Sequence, residues 1–156
     1  MDKIAVSLLW ILVVAAGVLV GGSDFERMVV TPLWAGAPPL SVQSWTLGAI
    51  QRPFFTLATP LYALLSPMVL VGSFALPEDA RPWARVAGVV GVLIMIWTMA
   101  YFVPILHKTE ANRGAGLAPE EITRLVRGWV GWGLVRTLAA GAGWLVAIRA
   151  LVLASR

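Results

Sequence analysis

An arginine inside a hydrophobic run is the residue of this chain best placed to do chemistry. Arg136 lies among Leu134, Val135, Leu138 and Ala139. An unpaired arginine at the centre of a bilayer costs roughly 2.5–3.5 kcal/mol on insertion scales. Its guanidinium should therefore face a bundle interior or a wet cavity and have a partner, or else snorkel to the interface. Trp132 and Trp129 precede it by four and seven residues, which puts both on its side of a helix. A cation–π contact from Trp132 is geometrically reasonable. The natural anionic partners are Asp24 and Glu26, which follow the first apolar stretch. Two such carboxylates are also a weak signal for acid–base work. His107 ends the third stretch and is a candidate base or ligand, or simply a solvated side chain beside Lys108. Tyr101, six residues earlier, reads first as a membrane-edge anchor. Such groups suit an anionic or carbonyl-bearing ligand held at the mouth of a bundle.

The elements that must position these residues are four apolar stretches, at about 4–22, 54–76, 83–106 and 129–153. Each is close to the roughly 20 residues that a helix needs to cross a hydrocarbon core. Residues 1–156 are thus expected to form a single integral membrane domain. The fold class is all-α: a four-helix transmembrane bundle with a partly helical, membrane-associated first loop. Composition agrees, with 59% hydrophobic and 13% charged residues against about 25% charged in ordinary globular proteins.

Composition also excludes chemistry. The chain has no cysteine, so disulfides, thiolate nucleophiles and thiolate metal sites are ruled out. Its single histidine argues against a multi-histidine haem or zinc site. No cofactor and no metal are expected. The net charge of +4 comes mainly from scattered loop residues, which suits an anionic leaflet and gives no case for nucleic acid. Basic residues fall almost evenly on the two sides, so the orientation is weakly determined. A bacterial inner or plasma membrane is the expected location, with lipids as partners.

The connections carry further signals. Gly17 and Gly21 form a small-xxx-small pair, suited to close bundle packing or to a homo-oligomer seam. The first loop, from about Ser23 to Pro53, is too apolar for a solvated linker. Phe25, Met28, Val29, Leu33 and Trp34 share a sticky face before Pro38-Pro39. Ser41 is expected to cap a second short helix carrying Val42, Trp45 and Ala49. Pro60 and Pro67 should bend the second span. Thr56, Thr59, Ser66 and Ser73 lie on one stripe of it, either satisfying backbone carbonyls or lining a polar seam. Pro119 before Glu120 and Glu121 marks a helix start that runs into the fourth span. The glycine-containing run at Arg113–Gly116 reads as flexible loop.

Three segments carry a family resemblance: GGSDFERMVVTPLWAGAP after span 1, YFVPILHK at the end of span 3, and RGWVGWGLVR at the start of span 4. With these the chain resembles the anthrone oxygenase-like domain-of-unknown-function family of small four-helix membrane proteins. The resemblance implies a four-span bundle. It also implies, loosely, cofactor-free oxidation of anthrones to anthraquinones, an activity associated with a few fungal members. The family often reads Trp-x-x-x-His-x-x-Arg, whereas here Gly133 lies between Trp129 and Arg136. The tryptophan and arginine carry over; a histidine base does not.

Two classes of function follow. The favoured one is a non-catalytic bundle that binds a lipid or small apolar ligand, or that serves as a subunit of an assembly. The alternative is a membrane oxygenase or isomerase acting on an apolar aromatic substrate. A partly polar pocket lined by Glu26, Arg136 and His107 would favour a ligand site; a solid Leu/Val interior would favour the structural reading.

Overall fold

Small residues line the inside of this protein and large ones cover the outside. Ala5, Ala16, Ala84, Ala87, Gly88, Gly91, Gly143, Ala147 and Ala150 are buried, while Ile4, Leu57, Leu64, Leu93 and Leu145 are exposed. That inversion suits a lipid solvent. Burying leucine gains little against acyl chains, and small residues let backbones approach. The structure, a computed structural model, describes residues 3–44, 48–110 and 116–156, with side chains at all of these but 43–44, 48–52 and 110. Trp45, the side chain of Ala49 and most of the Arg113–Gly116 run lie outside the described residues.

The described residues are all-helical, as the apolar stretches require. α1 covers Lys3–Ala35, α3 covers Gly48–Gly72 and continues through a 3₁₀ turn at Ser73–Ala75, α4 covers Arg81–Thr109, and α5 covers Pro119–Ala154. A short α2, Leu40–Ser44, joins α1 to α3. The four long helices are long and apolar enough to cross a membrane. Each packs against its sequence neighbour, and α1 closes the ring against α5.

Specific close approaches fix an antiparallel register. On α1 and α3, Gly22 meets Phe54 while Ala5 and Leu8 lie near Gly72. On α3 and α4, Leu70 packs at Gly88 and Ser66 at Gly91. On α4 and α5, Val90 meets Gly143 and Tyr101 meets Gly128. Trp144 of α5 lies over Gly17 and donates its indole N–H to the Val13 carbonyl at 3.0 Å. Gly17 is thus used inside the bundle, whereas Gly21 has open space beside it.

The structure corrects three local expectations. The first loop does not begin at Ser23, because α1 runs on through a π turn at Glu26–Val30 to Ala35. Of the five apolar residues assigned one sticky face there, Phe25, Met28, Val29 and Leu33 point outward and only Trp34 is buried. Ser41 is not an N-cap. It lies inside α2, and its hydroxyl donates to the Trp34 carbonyl at 2.6 Å.

A second π turn occupies Thr98–Phe102 of α4. The two share a pattern. In each, the N–H of the following residue (Thr31, Val103) reaches back five residues, and a proline comes next (Pro32, Pro104). Proline cannot donate to the carbonyl four residues earlier and its ring crowds that oxygen. A wide turn just before it relieves the crowding.

The core is split. A large cluster of Leu9, Leu12, Tyr62, Leu65, Ala84, Ala87 and their neighbours fills the half near the termini. A smaller one, formed by Val30, Trp34, Val42, Ile122 and Val126, lies at the opposite end. Close approach at the small residues sets helix spacing in the first half. Gly91→Val would drive a side chain into Ser66 and Tyr62. It is expected to cost about 1–3 kcal/mol, as overpacking does, whereas Gly21→Ala should leave detergent unfolding unchanged. Equal melting of the two variants would contradict the register.

Candidate functional site

Between the two cores lies a cavity of about 290 Å³ to which all four long helices contribute. Its wall is mostly apolar: Leu19 of α1, Phe55 and Pro60 of α3, Ile94, Met95 and Met99 of α4, and Ala140 of α5. Polar residues enter from all four helices, Thr98 being the one from α4. Glu26 comes from the π turn of α1, Arg136 and Thr137 from α5, and Thr56 and Thr59 from α3. The hydroxyl stripe predicted on this span divides. Thr56 and Thr59 line the cavity, while Ser66 donates to the Tyr62 carbonyl and Ser73 to the Leu70 carbonyl, each at 2.7 Å.

Glu26 is only 6% exposed although it carries a carboxylate. Arg136 is the charge whose field it senses, and the reverse holds. They do not close an ion pair within 4.0 Å; among the described residues that contact joins Arg124 and Glu121 on the exposed side of α5. Instead, the Arg136 guanidinium lies over the Phe102 ring, 4.1 Å from its centroid. A smaller hollow of about 10 Å³ touches Glu26, Thr31, Gly133, Arg136 and Thr137. That is close to the space one water needs, about 10–15 Å³.

Phe102 stands at the centre of a chain of edge-to-face rings. Trp97, Tyr101 and Trp129 meet it at 5.7, 5.1 and 5.8 Å. Trp129 passes the contact on to Trp34 at 5.2 Å, and Trp97 to Trp132 at 5.6 Å. This geometry is the favoured one for aromatic quadrupoles. It ties α1, α4 and α5 together on the cavity wall. The indole nitrogens of Trp34 and Trp129 are buried with no hydrogen-bond partner.

Of the residues singled out by sequence, Glu26, Arg136 and Trp129 meet at the cavity. Tyr101 is half-buried and joins through Phe102. The ring over which Arg136 lies is Phe102 and not Trp132, which is half exposed and packs on Trp97. Asp24 is exposed and outside the cavity lining, as is His107 near the end of α4. Sequence reasoning did not select Phe102. It is carried by the wide turn that ends two residues before Pro104.

The fold and the cavity define a class: a four-helix membrane bundle with a carboxyl group and a guanidinium at one largely apolar cavity. The comparisons narrow it. Residues 42–146 match the family model described as anthrone oxygenase, and the chain belongs to that family. The matched stretch contains Phe102, Trp129 and Arg136 and leaves Glu26 outside. No curated protein and no solved structure matches the chain.

Phe102→Leu removes both the ring beneath Arg136 and the hub of the aromatic chain. It should cost about 2–3 kcal/mol from lost cation–π and ring–ring contacts. Trp132→Leu, at the half-exposed end of that chain, should cost less. Thermal unfolding in detergent checks the order, and a larger loss for Trp132→Leu would contradict it.

Proposed function

We propose that the cavity binds a small, flat, largely apolar molecule whose one oxygen-bearing end lies between Glu26 and Arg136, in a bacterial inner or plasma membrane. One observation carries this reading: a buried carboxyl group and a guanidinium line one apolar hollow without closing an ion pair. Buried charges are costly unless paired or hydrogen-bonded. A ligand hydroxyl can donate to Glu26 and accept from Arg136, and a ligand carbonyl can accept from Arg136 and from Glu26 in its protonated form. The volume of about 290 Å³ falls at the small end of ligand pockets, which run roughly 300–1,000 Å³.

A second reading is favoured by family membership together with the buried carboxylate. A carbon acid such as anthrone would place its carbonyl against Arg136 and its methylene toward Glu26. Glu26 would take one methylene proton, and Arg136 would hold the resulting enolate oxygen. Dioxygen would then add at that carbon. Loss of water forms the second carbonyl, so anthrone and one O₂ give anthraquinone and one H₂O. This sequence requires no histidine at position 133.

The test is titration of anthraquinone into the protein in phosphatidylcholine vesicles, followed by quenching of Trp129 and its neighbours. Arg136→Leu and Glu26→Leu should each weaken binding at least about tenfold, which is 1.4 kcal/mol. Arg136→Lys should lose less, since the charge remains but the planar donor is gone. Parent-like binding by both leucine variants, or no binding by the parent, would refute the reading. Anthrone consumption with O₂ uptake, abolished by Glu26→Gln with binding retained, would select the oxygenase.

A further inference from the structure

The cavity is not equally walled on all sides. Its lining residues on α1 and α5 are buried or half-buried, among them Leu19, Glu26, Thr137 and Ala140. The exposed lining residues are Thr56 and Pro60 on α3 and Met99 on α4. Met99 is 53% exposed. We propose that the cavity takes up its ligand sideways from the acyl region of the bilayer, through a mouth between α3 and α4 rimmed by Thr56, Pro60 and Met99.

Three further observations support this route. α3 and α4 are held together at their other end, where Ser66 and Leu70 press against Gly91 and Gly88. The opening lies toward the end without such glycine contacts. The surface around it is apolar, since Leu57, Leu61, Leu93 and Ile96 are 76%, 47%, 59% and 59% exposed. Its depth also fits. Thr56 and Pro60 come three and seven residues after Pro53, where the span begins, or about 5 and 10 Å along the axis at 1.5 Å per residue. On the axial side, Leu106 and Trp129 of the cavity wall pack against the buried cluster of Trp34, Val42, Ile122 and Val126. Met99 is unbranched and adaptable, a side chain suited to a moving rim. This inference rests on the ligand-binding reading, but its test uses no ligand.

The chain has no cysteine, so a thiol can be placed at will. Ala140→Cys sets one on the back wall, on α5, where the residue is 8% exposed. The protein is reconstituted in phosphatidylcholine vesicles and treated with N-ethylmaleimide, which enters bilayers, or with a sulfonated maleimide, which does not. The first reagent should label at least tenfold faster. Met99→Trp should slow it at least fivefold, and Thr56→Phe should do so from the opposite rim. Leu145→Trp, on an exposed face of α5, should not. Equal or faster labelling by the sulfonated reagent would show a water route and overturn the proposal. So would an unchanged rate in both rim variants, or no labelling even after Met99→Ala. Lipid-phase labelling without anthraquinone binding would reject the ligand reading and keep the mouth; binding without such labelling would do the reverse.

Discussion

Glu26 and Arg136 face one apolar hollow from neighbouring helices, α1 and α5, without closing an ion pair, and the rest of the bundle is arranged around that arrangement. Each alone would be expensive in the low-dielectric interior. Arg136 is partly supported by the Phe102 ring, and Glu26 by the nearby positive charge. Neither is fully satisfied by protein. On the proposed reading, a bound ligand offsets that cost by giving both groups a polar partner. An apolar pair of similar volume would pack the same bundle as well or better.

The two halves of the bundle serve this arrangement differently. Near the termini, glycine and alanine bring the backbones close and leave no space. Beyond Ser66 and Gly91, larger residues and prolines replace them, and the helices no longer close on one another. Two π turns lie on the cavity wall, one carrying Glu26 and the other Thr98, Met99 and Phe102. Wide turns of this kind are often found at functional sites. Here each precedes a proline, although Pro60 and Pro67 of α3 follow ordinary α-helical turns. The cluster of Trp34, Val42, Ile122 and Val126 packs at the far end. The result is a hollow between two packed regions, walled in part by aromatic edges.

Much of this was legible in the sequence, and the reasons are physical. Hydrophobic length alone revealed the four long helices, because the bilayer tolerates little else. Pro119 with Glu120 and Glu121 marked the start of α5 correctly. Arg136 stood out because charge is rare within an apolar span. Less visible was the extension of α1 to Ala35, since Asp24, Glu26 and Arg27 resemble the polar end of a span. Charges near a helix end usually mark the interface; here one of them turns inward and is buried. The partner ring of Arg136 was also misassigned to Trp132. Spacing of four residues on one helix identifies neighbours within that helix, but Phe102 arrives from α4. Contacts between helices depend on register, which was set by glycine approaches that a single sequence does not rank. The cavity was hidden for the same reason, being a property of where the helices fail to meet.

The central claim is that Glu26 and Arg136 act as one unit across the cavity. A double-mutant cycle in unfolding free energy, built from Glu26→Gln, Arg136→Met and the double variant in detergent, measures that directly. The account predicts a coupling of at least about 1 kcal/mol, with the double variant more stable than the sum of the single losses implies, because removing both charges leaves neither stranded. Additivity within about 0.5 kcal/mol, the behaviour of independent sites, would contradict it.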